Sequence, residues 1–124
     1  MDNNEDDVVM YIIVNQSLDM GKGKVAAQVG HVVQMVIEDL LLKRNVTSED
    51  IIAYNKWRRY GMAKIVLKAN QEQMDKLILL PKSRHVRDHG RTQVPAGSLT
   101  AVAFIPLYVD KQKQNNQFKE YKLL

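Results

Sequence analysis

Apolar and polar positions divide the first third of this chain into two blocks with different periodicities. Residues 8–14 form a continuous apolar and mostly β-branched run, which is typical of a strand buried on both faces. In residues 24–44 the apolar positions recur every three or four residues, as on a long helix with a broad buried face. The pattern therefore predicts a central strand, a polar connection and a long helix.

The remainder of the chain continues this alternation. Thr47 and Asp50 have the spacing of a capping box, which predicts a second helix that Gly61 closes and that packs Trp57 on its inner face. Four further elements follow from the same patterns: a strand at 63–68, a helix from Asn70 to Pro81, a short strand at 84–88 and a strand at 99–105.

This running order predicts the fold class. Strands that alternate with helices form sheets covered on both faces. We therefore expect a single α/β domain of three layers, α/β/α, in which helices flank a mixed sheet of about four strands. Within the 124 residues, no linker or repeat divides residues 8–124, and the acidic residues 1–7 are predicted to be a disordered tail.

Composition excludes several classes of function. The chain has no cysteine, so a thiol nucleophile and a thiolate metal site are excluded. It has no apolar run of the ~18 residues that a membrane span requires, and its acidic start lacks the basic region of a targeting peptide. These features predict a cytoplasmic protein that does not enter a membrane.

The charge distribution favours an anionic partner. The net charge is +4, but residues 2–7 hold four of the fourteen acids and none of the eighteen bases, which leaves +8 on the rest of the chain. A basic surface on a small domain attracts a phosphate polymer, because binding releases counterions. On charge alone, a basic protein without such a partner is also an open interpretation.

The first group of candidate chemistry is the segment Gly21-Lys22-Gly23-Lys24 with Gln28 and His31 downstream. It follows the predicted central strand and begins the long helix, where free amides and the helix dipole favour anions. Lys24, Gln28 and His31 are spaced four and then three apart, so they share one helical face. A solvated loop with His31 in the core is an equally good interpretation at this point.

The second group is Asp88-His89-Gly90-Arg91-Thr92-Gln93 at the end of a predicted strand. It supplies a carboxylate, a cation and a hydroxyl, and loops at strand ends often carry function. Asp and Thr also stabilise ordinary turns, and on the residues alone that interpretation is favoured. Two roles are open for the aromatic residues Tyr54, Trp57 and Tyr60, which are packing in the core and stacking on RNA bases.

Nucleotide and metal motifs fit poorly. Gly21 to Ala26 matches the glycines of a dinucleotide fingerprint, but no second strand with a terminal acid follows. A Walker loop requires a hydroxyl residue where Val25 stands. His85 and His89 lack the clustered partners of a zinc site, so we predict no metal site.

Taken in order, these motifs resemble one family, the type 2 peptidyl-tRNA hydrolases. The resemblance covers nearly all of residues 8–124 and rests on Leu18-x-Met20-Gly21-Lys22-Gly23-Lys24-Val25-Ala26-Ala27-Gln28-x-x-His31, Trp57-x-x-x-Gly61, Lys64-Ile65-Val66-Leu67-Lys68 and Asp88-x-Gly90-Arg91-Thr92-Gln93-x-x-x-Gly97-Ser98-x-Thr100. It implies hydrolysis of the ester between peptide and tRNA, which supports translation by ribosome rescue. It also implies that no cofactor is needed.

Carried over by position, the resemblance implies that Lys24, Asp88 and Thr92 form the catalytic group. Residues expected to bind substrate or tRNA are Lys22, Gly23, Gln28, His31, Gly90, Arg91 and Gln93. The expected partner is peptidyl-tRNA, and water is preferred to threonine as the nucleophile. The sequence does not determine the oligomeric state, and a homodimer is one of the options.

This chain departs from the family pattern at Asn15, Ser17, Asp19, His89 and Leu99. The first three stand where basic or acidic residues are usual, so RNA contacts there are expected to be weaker. The alternative interpretation is therefore a catalytically weakened adaptor on the same fold that binds tRNA or protein. The intact set Lys24, Asp88 and Thr92 favours the enzyme.

Overall fold

The computed structural model describes residues 6–89, 94–110 and 116–124. Residues 1–5 of the predicted acidic tail, and the predicted site residues Gly90, Arg91, Thr92 and Gln93, lie outside the described residues. The strands and helices are β1 (Asp6–Asn15), α1 (Lys22–Leu41), α2 (Ser48–Arg59), β2 (Lys64–Ala69), α3 (Gln71–Leu77), β3 (Ser83–Arg87), β4 (Leu99–Phe104), β5 (Leu107–Asp110) and β6 (Lys122–Leu123).

The sheet is mixed, and its central strand is β1. The strand order is β3-β4-β1-β2-β6, and β5 pairs with the first half of β1. β2 is parallel to β1, while β4 is antiparallel to both β1 and β3. Strands β1, β2 and β3 therefore run in the same direction and end at one edge of the sheet, which we call the carboxyl edge.

Helices cover both faces, which confirms the α/β class with three layers. α1 and α2 pack on one face against a cluster that includes Met10, Ile12, Val32, Val36 and Trp57. α3 packs on the other face against a cluster that includes Ile13, Leu67, Met74, Leu77 and Phe104. The alternation of β1 between these clusters explains its continuous apolar sequence, since both of its faces are buried.

The expected number of about four strands was too low. The described residues form six strands, because β5 and β6 follow Pro106 in addition to the four expected ones. Both extra strands are short, and β6 contains only Lys122 and Leu123, which are exposed. A two-residue strand has no alternation to detect, so its pairing with β2 is set by tertiary contacts.

The predicted capping box at the start of α2 is confirmed. The Thr47 hydroxyl accepts a hydrogen bond from the Asp50 amide, and the Asp50 carboxylate accepts one from the Thr47 amide. Trp57 is buried as expected, and its indole N–H donates to the Ala63 carbonyl at 2.7 Å. α2 is therefore fixed at both of its ends.

Two ion pairs attach the helices to the region where β3 begins. Lys82, just before β3, contacts the buried Asp50 carboxylate at 2.8 Å. Arg84 in β3 contacts Asp39 of α1 at 2.6 Å and also donates to the Asn45 carbonyl at 2.9 Å. The Arg84–Asp39 contact holds α1 beside β3, so that the start of α1 lies next to the end of β3 at the carboxyl edge.

Within the described ranges, no helix is both long and apolar enough to cross a membrane. α1 has the length of a span, but polar and charged residues occur along it. Its buried stripe packs on the sheet instead.

Asp50→Asn should lower the free energy of unfolding by about 1 kcal/mol, because it weakens both the helix cap and the contact with Lys82. Burial by itself raises the pKa of Asp50, but hydrogen bonds from Lys82 and Thr47 outweigh it and hold the pKa below its usual value. A lowered pKa in the folded state means that this stabilisation is present above about pH 4 and is lost as the pH falls below it. Urea unfolding from pH 7 to pH 3 measures both effects.

Glu49→Gln is the matched control, because Glu49 is an exposed acid in the same first turn of α2. At pH 7 it should change the stability much less than Asp50→Asn, and the difference should shrink towards pH 3. Equal losses in the two variants at pH 7 would contradict the assigned role of Asp50.

Candidate active site

A cleft of about 520 Å³ opens at the carboxyl edge between the first turns of α1 and the end of β3. α1 contributes one wall and β3 contributes the other. The residues that line the cleft are Lys24, Ala27, Gln28, His31, Val86, Arg87, Asp88 and His89. The structure thus brings the two candidate groups of the sequence to one place.

An ion pair between Lys24 and Asp88 joins the two walls. The Lys24 ammonium lies 2.5 Å from the Asp88 carboxylate, and the two side chains are only 12% and 8% exposed. Charges so shielded from water interact more strongly than surface pairs, and each would be costly to bury alone. The pair is therefore a shielded ionic contact between the two walls of the cleft.

A second polar contact holds Gln28, another residue that lines the cleft. Thr100 of β4 is fully buried, and its hydroxyl donates to the side-chain carbonyl of the buried Gln28 at 2.5 Å. This contact fixes the Gln28 side chain, which also lines the cleft, against the sheet. Gln28 is thus held in place on the cleft wall.

The remaining described candidates are accessible to solvent. His31 lies one turn beyond Gln28 on the same face of α1 and is exposed, so it is not the core residue of the alternative interpretation. Lys22 and Gly23 form the exposed first turn of α1. A side chain at Gly23 would contact nothing within 4 Å, so packing within the chain does not require glycine here. Close approach of a ligand to the backbone is a use that this open space permits.

Backbone hydrogen bonds close the loop that follows β3 at its base. The Asp88 amide donates to the Ser98 carbonyl at 2.8 Å, and the Gly97 amide donates to the Asp88 carbonyl at 2.7 Å. Gly97 has a φ of 84°, which favours glycine. These bonds fix Asp88 in place at the strand end.

Three residues at the cleft were not among the predicted site residues. Arg87 and His89 line it on either side of Asp88, and Thr100 supports Gln28. Thr100 had a usable signal, because it is the one polar residue in the otherwise apolar sequence of β4. Arg87 had none, since an arginine near the end of an edge strand is ordinary.

Asn15 and Ser17, two of the departures from the family pattern, form a structural network in this chain. The buried Asn15 side chain donates to Gln71 at 2.7 Å and to the Leu99 carbonyl at 2.9 Å. Ser17 accepts a hydrogen bond from the Gln71 amide at 3.0 Å. These contacts connect the end of β1 to α3 and β4, so both residues support the carboxyl edge.

Comparison with known proteins places this chain in a family. The model of the family described as peptidyl-tRNA hydrolase PTH2 matches residues 8–124. The chain belongs to the type 2 peptidyl-tRNA hydrolase family. The resemblance inferred from the motifs is thus confirmed, and the match includes both walls of the cleft.

Individual members of the family agree with this assignment. A peptidyl-tRNA hydrolase of Thermoplasma acidophilum is 34% identical over 124 residues, which cover 93% of this chain and 97% of the relative. One of Saccharolobus islandicus is 33% identical over 107 residues, 80% of this chain and 86% of the relative. A probable peptidyl-tRNA hydrolase 2 of Caenorhabditis elegans is 39% identical over 99 residues, 75% of this chain but 30% of that longer relative.

His85 provides a probe of the charge beside the cleft of this type 2 hydrolase. Burial lowers the pKa of His85 below 6.5, and the positive charge of Arg87 lowers it further. Arg87→Gln should therefore raise the pKa of His85, but not fully to 6.5, because burial is the larger cause. NMR titration of the imidazole measures it, and the remote Arg59→Gln should leave it unchanged. An unaltered value in Arg87→Gln would show that Arg87 does not act on His85.

Proposed function

We propose that this chain hydrolyses the ester bond between peptide and tRNA at the cleft between α1 and β3, and that Lys24, Asp88 and Thr92 are its catalytic residues. The single observation that carries the assignment is the shielded Lys24–Asp88 pair at 2.5 Å on the cleft wall. The family and the names of its members supply the reaction.

Lys24 suits stabilisation of the negative charge that develops in ester hydrolysis. When water attacks the ester carbonyl, its oxygen becomes an oxyanion, and a fixed cation beside it lowers the barrier. The Lys24 ammonium has three N–H donors, so it can contact Asp88 and the oxyanion together. Its place in the first turn of α1 adds the positive end of the helix dipole.

Asp88 is suited to orient and deprotonate the attacking water. A carboxylate accepts hydrogen bonds, so Asp88 can orient a water molecule and take its proton as the carbon–oxygen bond forms. The proton then passes to the ribose oxygen that leaves as the tRNA 3′ hydroxyl. Water is preferred to Thr92 as the nucleophile, and Thr92 is proposed to hold a hydrogen bond to that water or to the ester.

The other predicted site residues are proposed to bind the substrate. Gln28, fixed by Thr100, offers its amide N–H to a carbonyl or ribose oxygen, and the exposed His31 lies next to it along the cleft. Lys22 and the open backbone at Gly23 suit the terminal phosphate of the tRNA. Gly90, Arg91 and Gln93 are proposed to contact the same end of the tRNA from the loop after Asp88.

Two further assignments stay predictions for this chain. The cytoplasm is where a translation enzyme of this family would meet its substrate, so we propose that location. A homodimer is also a prediction, which analytical ultracentrifugation of the purified chain would measure.

Asp88→Asn and Lys24→Ala should each lower kcat/KM for an N-acetylated aminoacyl-tRNA by about a hundredfold or more, since each removes a group that acts in the transition state. Thr92→Val should lower it as well. Release of free tRNA is the measurement. Asp75→Asn and Lys76→Ala are matched controls, because these exposed residues of α3 lie outside the cleft.

Full activity in Asp88→Asn and Lys24→Ala would disprove the site assignment. Tight tRNA binding by the wild type without any release of tRNA would instead favour the adaptor. The two results are distinguishable, because the first requires turnover and the second requires its absence.

A further inference from the structure

A second cavity, of about 370 Å³, lies at the far end of the same carboxyl edge, where β2 ends beside β6. Its lining residues are Gln16, Lys68, Gln73, Glu120 and Lys122. None of them belongs to the cleft that holds Lys24 and Asp88. No role in the proposed chemistry accounts for this cluster.

Two lysines in this cavity lie side by side on neighbouring strands. Lys68 of β2 is the direct register partner of Lys122 of β6 in an antiparallel pair. Like charges that lie directly opposite one another destabilise a sheet, so the pair is unfavourable for folding alone. In the part of the chain that the structure describes, neither ammonium lies within 4.0 Å of a carboxylate. An anion between the two lysines would remove the repulsion.

The other lining residues determine what kind of anion fits. Gln16 and Gln73 are amides that can donate hydrogen bonds to oxygen atoms, and Glu120 already interacts with Gln73 at 3.4 Å. Two ammonium groups and one carboxylate leave a net charge of +1 on the cavity. A phosphodiester carries a single negative charge, so it matches this charge and offers acceptor oxygens to both lysines.

The position of the cavity relates it to the cleft. β3, which ends at the cleft, and β2, which ends at the lysine pair, are separated by three strand spacings in the order β3-β4-β1-β2. At roughly 4.8 Å per spacing this is about 14 Å. Lys68 also lies on the sheet face that α1 covers, because Val66, two residues earlier, packs on that side. A short run of extended nucleotides spans such a distance.

We propose that Lys68 and Lys122 together bind one backbone phosphate of the tRNA, a few nucleotides away from the ester held at the Lys24–Asp88 cleft. The single-stranded 3′ end would then cross the carboxyl edge from β2 to β3. This proposal rests on the proposed function, since it takes its ligand from the same substrate.

The test is the salt dependence of tRNA binding by Lys68→Gln/Lys122→Gln. Loss of one phosphate contact should reduce the slope of log Kd against log salt by about 0.7 and weaken binding of deacylated tRNA about fivefold at low salt. Arg58→Gln/Arg59→Gln is the matched control, because it removes the same charge from exposed positions near the opposite end of β2. Glu120→Gln should tighten binding, since it removes the one carboxylate of the cavity.

Two further readouts separate this site from general effects. Turnover of an N-acetylated aminoacyl ester of adenosine, which has no internucleotide phosphate, should be unchanged in Lys68→Gln/Lys122→Gln. The variant should also be at least as stable as the wild type to urea, because the opposed charges are gone.

Equal slopes and affinities in the two double variants would overturn the phosphate site, even if the wild type releases tRNA normally. Failure of the wild type to release tRNA would overturn the proposed function instead. In that case the slope comparison with deacylated tRNA still decides whether Lys68 and Lys122 contact RNA.

Discussion

A lysine and an aspartate, both largely removed from water, hold the start of α1 against the end of β3. Such a pair persists only where the surrounding structure fixes both partners, since either charge alone would be costly at this depth. The backbone bonds of Asp88 to the 97–98 segment fix one partner. The Arg84–Asp39 contact, at the other end of the α1–β3 pair, keeps helix and strand side by side. The Lys24–Asp88 pair and the Arg84–Asp39 pair thus join the same helix and strand at their two ends.

The sequence predicted the parts of this fold that have strong local patterns. The continuous apolar run of β1, the periodicity of α1 and the capping box at Thr47 each reflect burial or hydrogen bonding within a short segment, and each was recovered. β6 was not, because two exposed residues carry no alternation and their pairing with β2 is decided by distant contacts. For the site, helical spacing predicted that Lys24, Gln28 and His31 share a face. The resemblance implied that Lys24 and Asp88 act together, but spacing alone could not bring together two residues 64 positions apart without the strand order.

Neutral and charged polar residues lie at different places along the carboxyl edge. Asn15 and Ser17 are neutral and hydrogen-bonded within the protein, so they fasten β1 to its neighbours at the middle of the edge. Charged residues lie on either side of them, at the cleft and at the Lys68–Lys122 pair. A charged residue buried in place of Asn15, which is 1% exposed, would require an ionic partner there. The departures at Asn15 and Ser17 are therefore compatible with a stable edge whose charges lie elsewhere.

The central claim is that Lys24 and Asp88 act as one catalytic unit, and a double-mutant cycle tests it most directly. The measurement is kcat/KM for peptidyl-tRNA hydrolysis by the wild type, Lys24→Ala, Asp88→Asn and the double variant. If each residue works only through the pair, the double variant should be about as slow as the slower single variant. Losses that multiply in the double variant would show that the two residues act independently and would contradict this account.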